Sequence, residues 1–472
     1  MLASAVFGLF VGAIPGLTAT MAVALLVPVT FFLPPVPAVA CIVTATAMTI
    51  FAGDIPGALL RMPGTPASAA YCDEAYTMTR RGQAGLALGA GLVHSMIGGL
   101  SGTLVLITVA PALAEAALAF SSFEYFWLVV LGLSCAVFVS RGNPVKALVS
   151  LMIGLLVASV GFENPAAYPR FTFGSTSLMS GFQLIPVMIG MFAVSEVLRY
   201  AVSREHVDQE LARTFGPILR GQGAVLRTYP LAALRGSALG TLVGALPGAG
   251  ADIAAWMAYG VSQRFSKTPE RFGTGHVEGV AEAGAANNAA LSGAWIPALV
   301  FGIPGDSITA IVIGVLYLKG MNPGPTIFIE NPQNIYAVLL IFLLANLLLL
   351  PLGWVLIRLA RNVLHVPRNV LMPVILLFSV VGAFAINNAV FDVGVMLAFG
   401  VLAYQMEAHD FPIAPTILGV VLGGMLEQHF VTSMIRAQGD LTAFVERPIA
   451  GALCVVTLLV WLSALLARRV RI

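Results

Sequence analysis

GLFVGAIPG, from Gly8 to Gly16, returns as GTLVGALPG, from Gly240 to Gly248, at an offset of 232 residues. A second Pro-Gly follows each copy: Pro63-Gly64 in LLRMPGTPAS and Pro304-Gly305 in VFGIPGDSIT. The order is kept, with 48 residues between the Pro-Gly pairs of the first half and 57 in the second. All four pairs sit in strongly apolar sequence. Pro there removes a backbone donor and crowds the preceding turn, while Gly permits positive φ and close backbone approach. Interrupted apolar segments at corresponding positions of two halves point to the substrate site of a membrane transporter.

The rest of the chain fits a membrane setting. Of 472 residues, 58% are hydrophobic and 10% charged, and the mean hydropathy is +0.93. Soluble domains carry about 25% charged residues, so this surface is built for lipid. With roughly 20 apolar residues per span, the length accommodates about ten to thirteen membrane segments. A net charge of +2 gives no support for a nucleic-acid partner. Cys41, Cys72, Cys135 and Cys454 lie far apart among apolar neighbours, which fits neither a metal site nor a disulfide framework.

Apolar segments fall near 3–33, 36–60, 84–118, 122–140, 145–163 and 181–200, then 234–262, 289–318, 335–360, 371–388, 391–406, 413–428 and 449–467. The expected organisation is a first repeat with its following helices over 1–200, a basic connector over 201–233, a second-repeat core over 234–330 and C-terminal helices over 331–472. The connector region holds Arg199, Arg204, Arg213, Arg220, Arg227 and Arg235 against Glu205, Asp208 and Glu210, which places it in the cytoplasm by the positive-inside rule. The fold class is therefore an all-α polytopic membrane protein with two repeats built around broken helices or re-entrant hairpins. Counting every segment as a crossing gives parallel repeats. Treating the first Pro-Gly as a hairpin tip gives inverted repeats and keeps Arg264, Lys267 and Arg271 inside, and this is the preferred reading. Gly8 stands seven residues after Met1, whereas Gly240 has the lead-in TYPLAALRGSALG. Either the halves differ there or the natural chain starts upstream.

In hydrocarbon every freed backbone N–H and C=O needs a partner, so irregular backbone survives only when packed in protein or lining a polar cavity. Small polar residues follow each break: Thr18 and Thr20, then Thr65 and Ser68, then Gly250 and Asp252, then Asp306, Ser307 and Thr309. Several are N-cap types, and a fresh helix N-terminus offers unpaired N–H groups and a partial positive charge to an anion. Candidate anion-binding positions are thus Pro15, Gly16, Thr18 and Thr20; Pro63, Gly64, Thr65 and Ser68; Pro247, Gly248 and Gly250; and Pro304, Gly305 and Ser307. Opposed half-helix C-termini expose carbonyls suited to Na⁺ or a proton-carrying water.

Intramembrane charge adds a second signal, because such groups are expensive. Asp252 and Asp306 are the first candidates for a coupling Na⁺ or H⁺, with Asp54 and Glu282 behind them. Asp306 has an alternative role as a simple helix cap. Glu278 and Glu282 share one helical face by their spacing of four. Asn287 and Asn288, in the Ala- and Gly-rich run HVEGVAEAGAANNAAL, are further substrate-binding candidates.

The chain resembles the large membrane subunit of tripartite tricarboxylate transporters, the TctA-type permeases, nearly from end to end. The resemblance is carried by Met62 to Gly89 (MPGTPASAAYCDEAYTMTRRGQAGLALG), by Pro169 to Leu198 (PRFTFGSTSLMSGFQLIPVMIGMFAVSEVL) and by the long run from Gly240 to Gly305. It implies a bacterial inner-membrane permease that imports an organic carboxylate on an ion gradient. Its implied partners are a small membrane subunit of four-helix type and a periplasmic solute-binding protein, with homo-oligomerisation left open. Two positions depart from the family pattern: Thr65 and Gly284 stand where Glu is usual. The resemblance implies no cofactor beyond the coupling ion and no catalytic residue. A membrane enzyme would need a nucleophile–base pair or metal ligands, and His94, the clearest intramembrane histidine, has no partner motif. The remaining alternatives are a passive channel and a scaffold subunit without a site of its own.

Overall fold

The computed structural model describes residues 1–14, 17–139, 143–162, 168–202, 216–364 and 368–469. Pro15 and Gly16 of the first break lie outside the described residues, as do Arg204, Glu205, Asp208, Glu210 and Arg213 of the connector. Among the described residues the regular elements are all helical, as the composition leads one to expect.

The first half contains α1 (Leu2–Ala13), α2 (Ala19–Phe31), α3 (Pro35–Ala52), α4 (Asp54–Leu60), α5 (Cys72–Arg80), α6 (Ala84–Ala117), α7 (Ser122–Val139), α8 (Pro144–Ala158), α9 (Leu184–Ile189) and α10 (Ser195–Val202). A π-turn over Gly190–Val194 joins the last two. Then come α11 (Gln222–Thr228), α12 (Pro230–Gly244), α13 (Gly250–Phe265), α14 (Val277–Phe301), α15 (Ser307–Leu318) and α16 (Ile327–Glu330). The chain closes with α17 (Pro332–Leu364), α18 (Arg368–Asn387), α19 (Val390–Ala408), α20 (Ile413–Arg436), α21 (Ala443–Glu446) and α22 (Pro448–Arg469).

Seven helical stretches among the described residues are long and apolar enough to cross a membrane: Pro35–Leu60, Ala84–Ala117, Leu184–Val202, Pro332–Ala360, Val370–Asn387, Val390–Ala408 and Ile413–Arg436. Shorter apolar helices accompany them, including α1, α2 and α15, which flank the breaks. The protein is a multi-pass membrane protein.

One segment differs from the sequence expectation. The apolar run at 289–318 suggested a segment starting at Ala289, but α14 begins twelve residues earlier, at Val277, and is buried without interruption from Glu278 to Val300. Its small residues explain this. Lipid is as apolar as Leu, so membrane helices associate through close packing and interhelical hydrogen bonds rather than through a hydrophobic drive. A Cβ on Gly98 of α6 would stand 2.1 Å from the Ala285 carbonyl oxygen, so α6 and α14 touch backbone to backbone. Where the two helices meet α17, the Asn288 amide donates to the Ser95 carbonyl at 2.9 Å and to Asn346 Oδ1 at 2.8 Å. On the other flank Arg235 of α12 holds Glu282 at 2.6 Å and Glu278 at 3.4 Å.

The doubled glycine motif makes matching contacts. A Cβ on Gly8 of α1 would meet the Ala45 oxygen of α3 at 2.3 Å; on Gly240 of α12 it would meet the Ala286 oxygen of α14 at the same distance. Gly12 stands over Thr49, and Gly244 over Ala290, in the same way. The contacted residues are offset by 241, which is also the offset from Pro63-Gly64 to Pro304-Gly305.

Candidate functional site

The two second breaks fold alike, bond for bond. Each incoming helix ends on a left-handed residue, Arg61 with φ 58° and Gly302 with φ 68°. The next N–H reaches back six residues, from Met62 to the Pro56 carbonyl at 3.3 Å and from Ile303 to the Pro297 carbonyl at 3.2 Å. That bond folds the chain back over the last helical turn past its left-handed residue, and so satisfies a carbonyl the broken helix would leave bare. Pro and Gly follow. Gly64 is pressed against Gly53 and Gly12, where a Cβ would stand 2.7 Å from Gly53 Cα and 2.9 Å from the Gly12 oxygen. Gly305 is pressed against Ala294 and Gly244, at 2.7 Å and 2.8 Å.

A reciprocal cap then starts the next segment. The Thr65 N–H donates to Ser68 Oγ and the Ser68 N–H to Thr65 Oγ1, both at 3.1 Å. In the second copy the Asp306 N–H donates to Thr309 Oγ1 at 2.9 Å and the Thr309 N–H to Asp306 Oδ1 at 2.8 Å. Two orphan donors are thereby satisfied on each side, as in a capping box. The sequence reading had anticipated capping for Asp306, and the structure gives Ser68 and Thr309 the reciprocal role. At the first break, Thr18 Oγ1 caps α2 by accepting from the Met21 N–H at 3.2 Å. The counterpart before α13 has no side-chain cap, and turns instead through Gly248 and Gly250, at φ 82° and 58°. The Gly248 N–H donates to the Gly305 carbonyl at 2.8 Å, tying the two breaks of the second half together.

These helix ends converge on a cavity of about 370 Å³. Thr18 and Thr20, Thr65 to Ala67, Gly248 to Asp252, Asp306 to Ile308, and Asn287 of α14 line it. The opposite wall carries Phe192 of the π-turn, Ser195, Glu196 and Arg199 of α10, Glu407 of α19, and Ile413, Ala414 and Leu418 around the start of α20. Arg199 pairs with Glu196 and, at 3.5 Å, with Glu407. Across the halves, the Trp256 indole N–H of α13 donates to the Pro66 carbonyl at 3.1 Å.

Nine of the residues singled out from sequence therefore meet at one cavity: Thr18, Thr20, Thr65, Gly248, Gly250, Asp252, Asn287, Asp306 and Ser307. Pro63, Gly64, Ser68, Pro247, Pro304 and Gly305 are not among its lining residues; they shape the turns behind it. Asn288 turns toward α6 and α17, Glu282 is held by Arg235, and Asp54 is buried behind the first tip. The wall formed by Glu196, Arg199 and Glu407 was not singled out as site from sequence, since Arg199 reads as the start of the basic connector. Among the described residues no three His, Cys, Asp or Glu side chains gather as metal ligands.

The model of the Tripartite tricarboxylate transporter TctA family matches residues 1–418. The chain belongs to the TctA family. This TctA-family chain is 35% identical over 459 residues to the "Uncharacterized 52.8 kDa protein in TAR-I ttuC' 3'region" of Agrobacterium vitis, covering 97% of the chain and 91% of that relative. It is 39% identical over 227 residues to the "Uncharacterized protein in TAR-II ttuC' 3'region" of the same organism, covering 48% of the chain and 94% of that relative. No solved structure matches it. Family membership makes it a transporter subunit, and the TctA family belongs to systems of several subunits.

Proposed function

We propose that this chain is the large permease subunit of an ion-gradient-driven, binding-protein-dependent secondary transporter that imports an organic carboxylate across a bacterial inner membrane. The observation that carries the proposal is the convergence of helix N-termini and small hydroxyl residues from both halves on one cavity. Helix N-termini and hydroxyls suit carboxylate oxygens, and Arg199 in the opposite wall adds a cation within reach of the same space. Asp252 and Asp306 in the same lining suit a coupling cation, so anion and cation would bind side by side.

In this reading the stretches 1–200 and 234–330 supply the two repeats, inverted with respect to each other. They move as a block against the C-terminal helices of 331–472 in an elevator-like cycle. The partners are a small membrane subunit and a periplasmic binding protein that delivers the substrate.

Uptake of a panel of di- and tricarboxylates into cells or proteoliposomes, with the cognate binding protein and with Na⁺ and pH varied, tests the proposal. Saturable uptake that stops when the ion gradient is collapsed is the expected result. Flux that persists without the gradient would make the chain a channel. Uptake untouched by substitutions at Thr20, Thr65 and Ser307 would make it a scaffold.

A further inference from the structure

Behind the first tip, a buried polar chain runs from the cavity to a carboxyl group. Asn287 lines the cavity and donates its amide N–H to the Tyr71 hydroxyl oxygen at 3.3 Å. The Tyr71 hydroxyl donates to Asp54 Oδ1 at 2.5 Å. The other carboxyl oxygen, Oδ2, is buried and has no partner. Asp54, Tyr71 and Asn287 are 5%, 2% and 1% exposed, so the chain is buried along its length, and Asn287 is its member in the cavity lining.

Charged and titratable groups on the elements packed around Asp54 are engaged or turned away. Arg61, which caps α4, pairs with Asp73 at an exposed position. Glu74 of α5 is bonded to the main chain at Gly275 and His276. Cys72 donates to the Gly57 carbonyl at 3.4 Å, and His94 of α6 bonds through Nδ1 to the Ala90 carbonyl at 2.9 Å. Arg80 at the far end of α5 is exposed, and Arg358 of α17 is exposed and stacked on Trp354. The α1 and α3 helices contribute no charged side chain. A carboxylate buried with one donor and no cation is far costlier than the neutral acid.

The fold does not require an acid here. The position matching Asp54 in the second half, at the offset of 241, is Trp295, which is fully buried and packs edge-on to Phe342 at 5.0 Å. One half thus fills this place with an indole, whose buried N–H has no partner, and the other with a carboxyl wired to the cavity. A Na⁺ site would need several more oxygen ligands than Asp54 and Tyr71 offer, whereas a proton needs one lone pair.

We propose that Asp54 is the proton-carrying carboxyl of this transporter, and that Tyr71 and Asn287 act as positioning residues that link its protonation to the occupancy of the cavity; the coupling half of this proposal rests on the carboxylate reading above. The link has a definite sign. While the Asn287 N–H donates to Tyr71, the Tyr71 hydroxyl is a stronger donor and supports the ionised Asp54, because linked hydrogen bonds polarise one another. A substrate carboxylate that takes the Asn287 N–H withdraws that support, so anion and proton bind cooperatively, and the coupling is reciprocal. The proton comes from solvent onto Oδ2 and returns to solvent; no other bond is made or broken.

Infrared difference spectra of the purified chain, and proton uptake on adding a carboxylate in weakly buffered detergent solution, test the two parts. Near neutral pH, the band of a protonated carboxyl should be present, vanish in Asp54→Asn and shift in Tyr71→Phe. Should Asp54→Asn fail to fold, the shift in Tyr71→Phe decides alone. A band unchanged in these variants overturns the proposal. At the pH where that band is half lost, carboxylate binding should restore it and draw protons from solution, and this signal should fall to background in Asp54→Asn and weaken in Asn287→Ala. Carboxylate binding with no proton uptake by the unsubstituted chain, or with Na⁺ dependence alone, overturns the coupling. Absence of carboxylate binding while the band remains assigned to Asp54 sinks the carboxylate reading of the cavity instead, and leaves the protonated Asp54 standing.

Discussion

The Glu74 carboxylate accepts the main-chain N–H of His276 at 2.7 Å, across 202 residues of sequence. The same group accepts the Gly275 N–H at 2.6 Å, the Gly273 N–H, and the Tyr259 hydroxyl at 2.8 Å, and Glu74 is only 1% exposed. One side chain of α5 therefore fastens the loop that leads into α14. Glu74→Ala leaves these donors without a partner, at about 1–3 kcal/mol for each one that stays buried. Thermal unfolding in detergent and protease cutting within 266–276 should both report the loss, and an unchanged melting curve would contradict it.

Gly302 ends α14 in the left-handed region with no atom nearer than 3.5 Å to an added Cβ. Gly302→Ala therefore tests conformation without crowding, and should cost about 1–2 kcal/mol. Gly305→Val, by contrast, drives a side chain into Ala294 and Gly244, and should reduce the yield of monodisperse protein well beyond that. Comparing the two by size-exclusion chromatography and unfolding separates backbone strain from overpacking.

Asp306→Asn keeps an acceptor for the Thr309 N–H but removes the charge. Asp306→Ala removes both, and by loss of the cap should cost about 0.5–2 kcal/mol of stability. On the proposed function, Asp306→Asn should keep the melting temperature and alter the ion dependence of uptake. Identical ion dependence in the two proteins would exclude Asp306 from coupling.

Arg199 is about half exposed, its side chain being at 47% accessibility, and is shared between Glu196 and Glu407. Its ion pairs should contribute no more than about 1 kcal/mol to stability. Arg199→Gln should consequently fold normally, yet weaken carboxylate uptake, since the wall then carries two acids and no base. A larger effect on unfolding than on uptake would assign Arg199 a structural role.

Burial, together with the negative charge of Asp73, pushes the Cys72 thiol up to about 12 against a partial counter-effect from Arg61. The thiolate is the reactive form, so alkylation of a variant retaining only this cysteine should rise about tenfold for each pH unit between 7 and 10. Labelling that levels off near pH 9 would show an ordinary, solvated thiol.

The sequence made the class, the helical fold and one side of the cavity legible, for a local reason. Pro-Gly pairs and the hydroxyl or acidic residues beside them carry their chemistry within a few positions, so Thr18, Thr65, Asp252 and Asp306 could be read directly. The far wall could not. Arg199 and Glu407 are 208 residues apart, and nothing in either neighbourhood marks the other. The long α14 was also obscured, because Glu, Asn and Gly lower the hydropathy of its start; its burial comes from glycine contacts on α6 and α12, which sequence does not show.

The two tips share a shape but not a charge. Thr65 stands where the matching tip has Asp306, under the same reciprocal cap and over the same kind of glycine contact. Matching scaffolding thus presents a hydroxyl at one tip and a carboxyl at the other to a common space, so the two ends of a guest lying between them meet different partners. A guest with unlike ends has a single favourable way to lie in it.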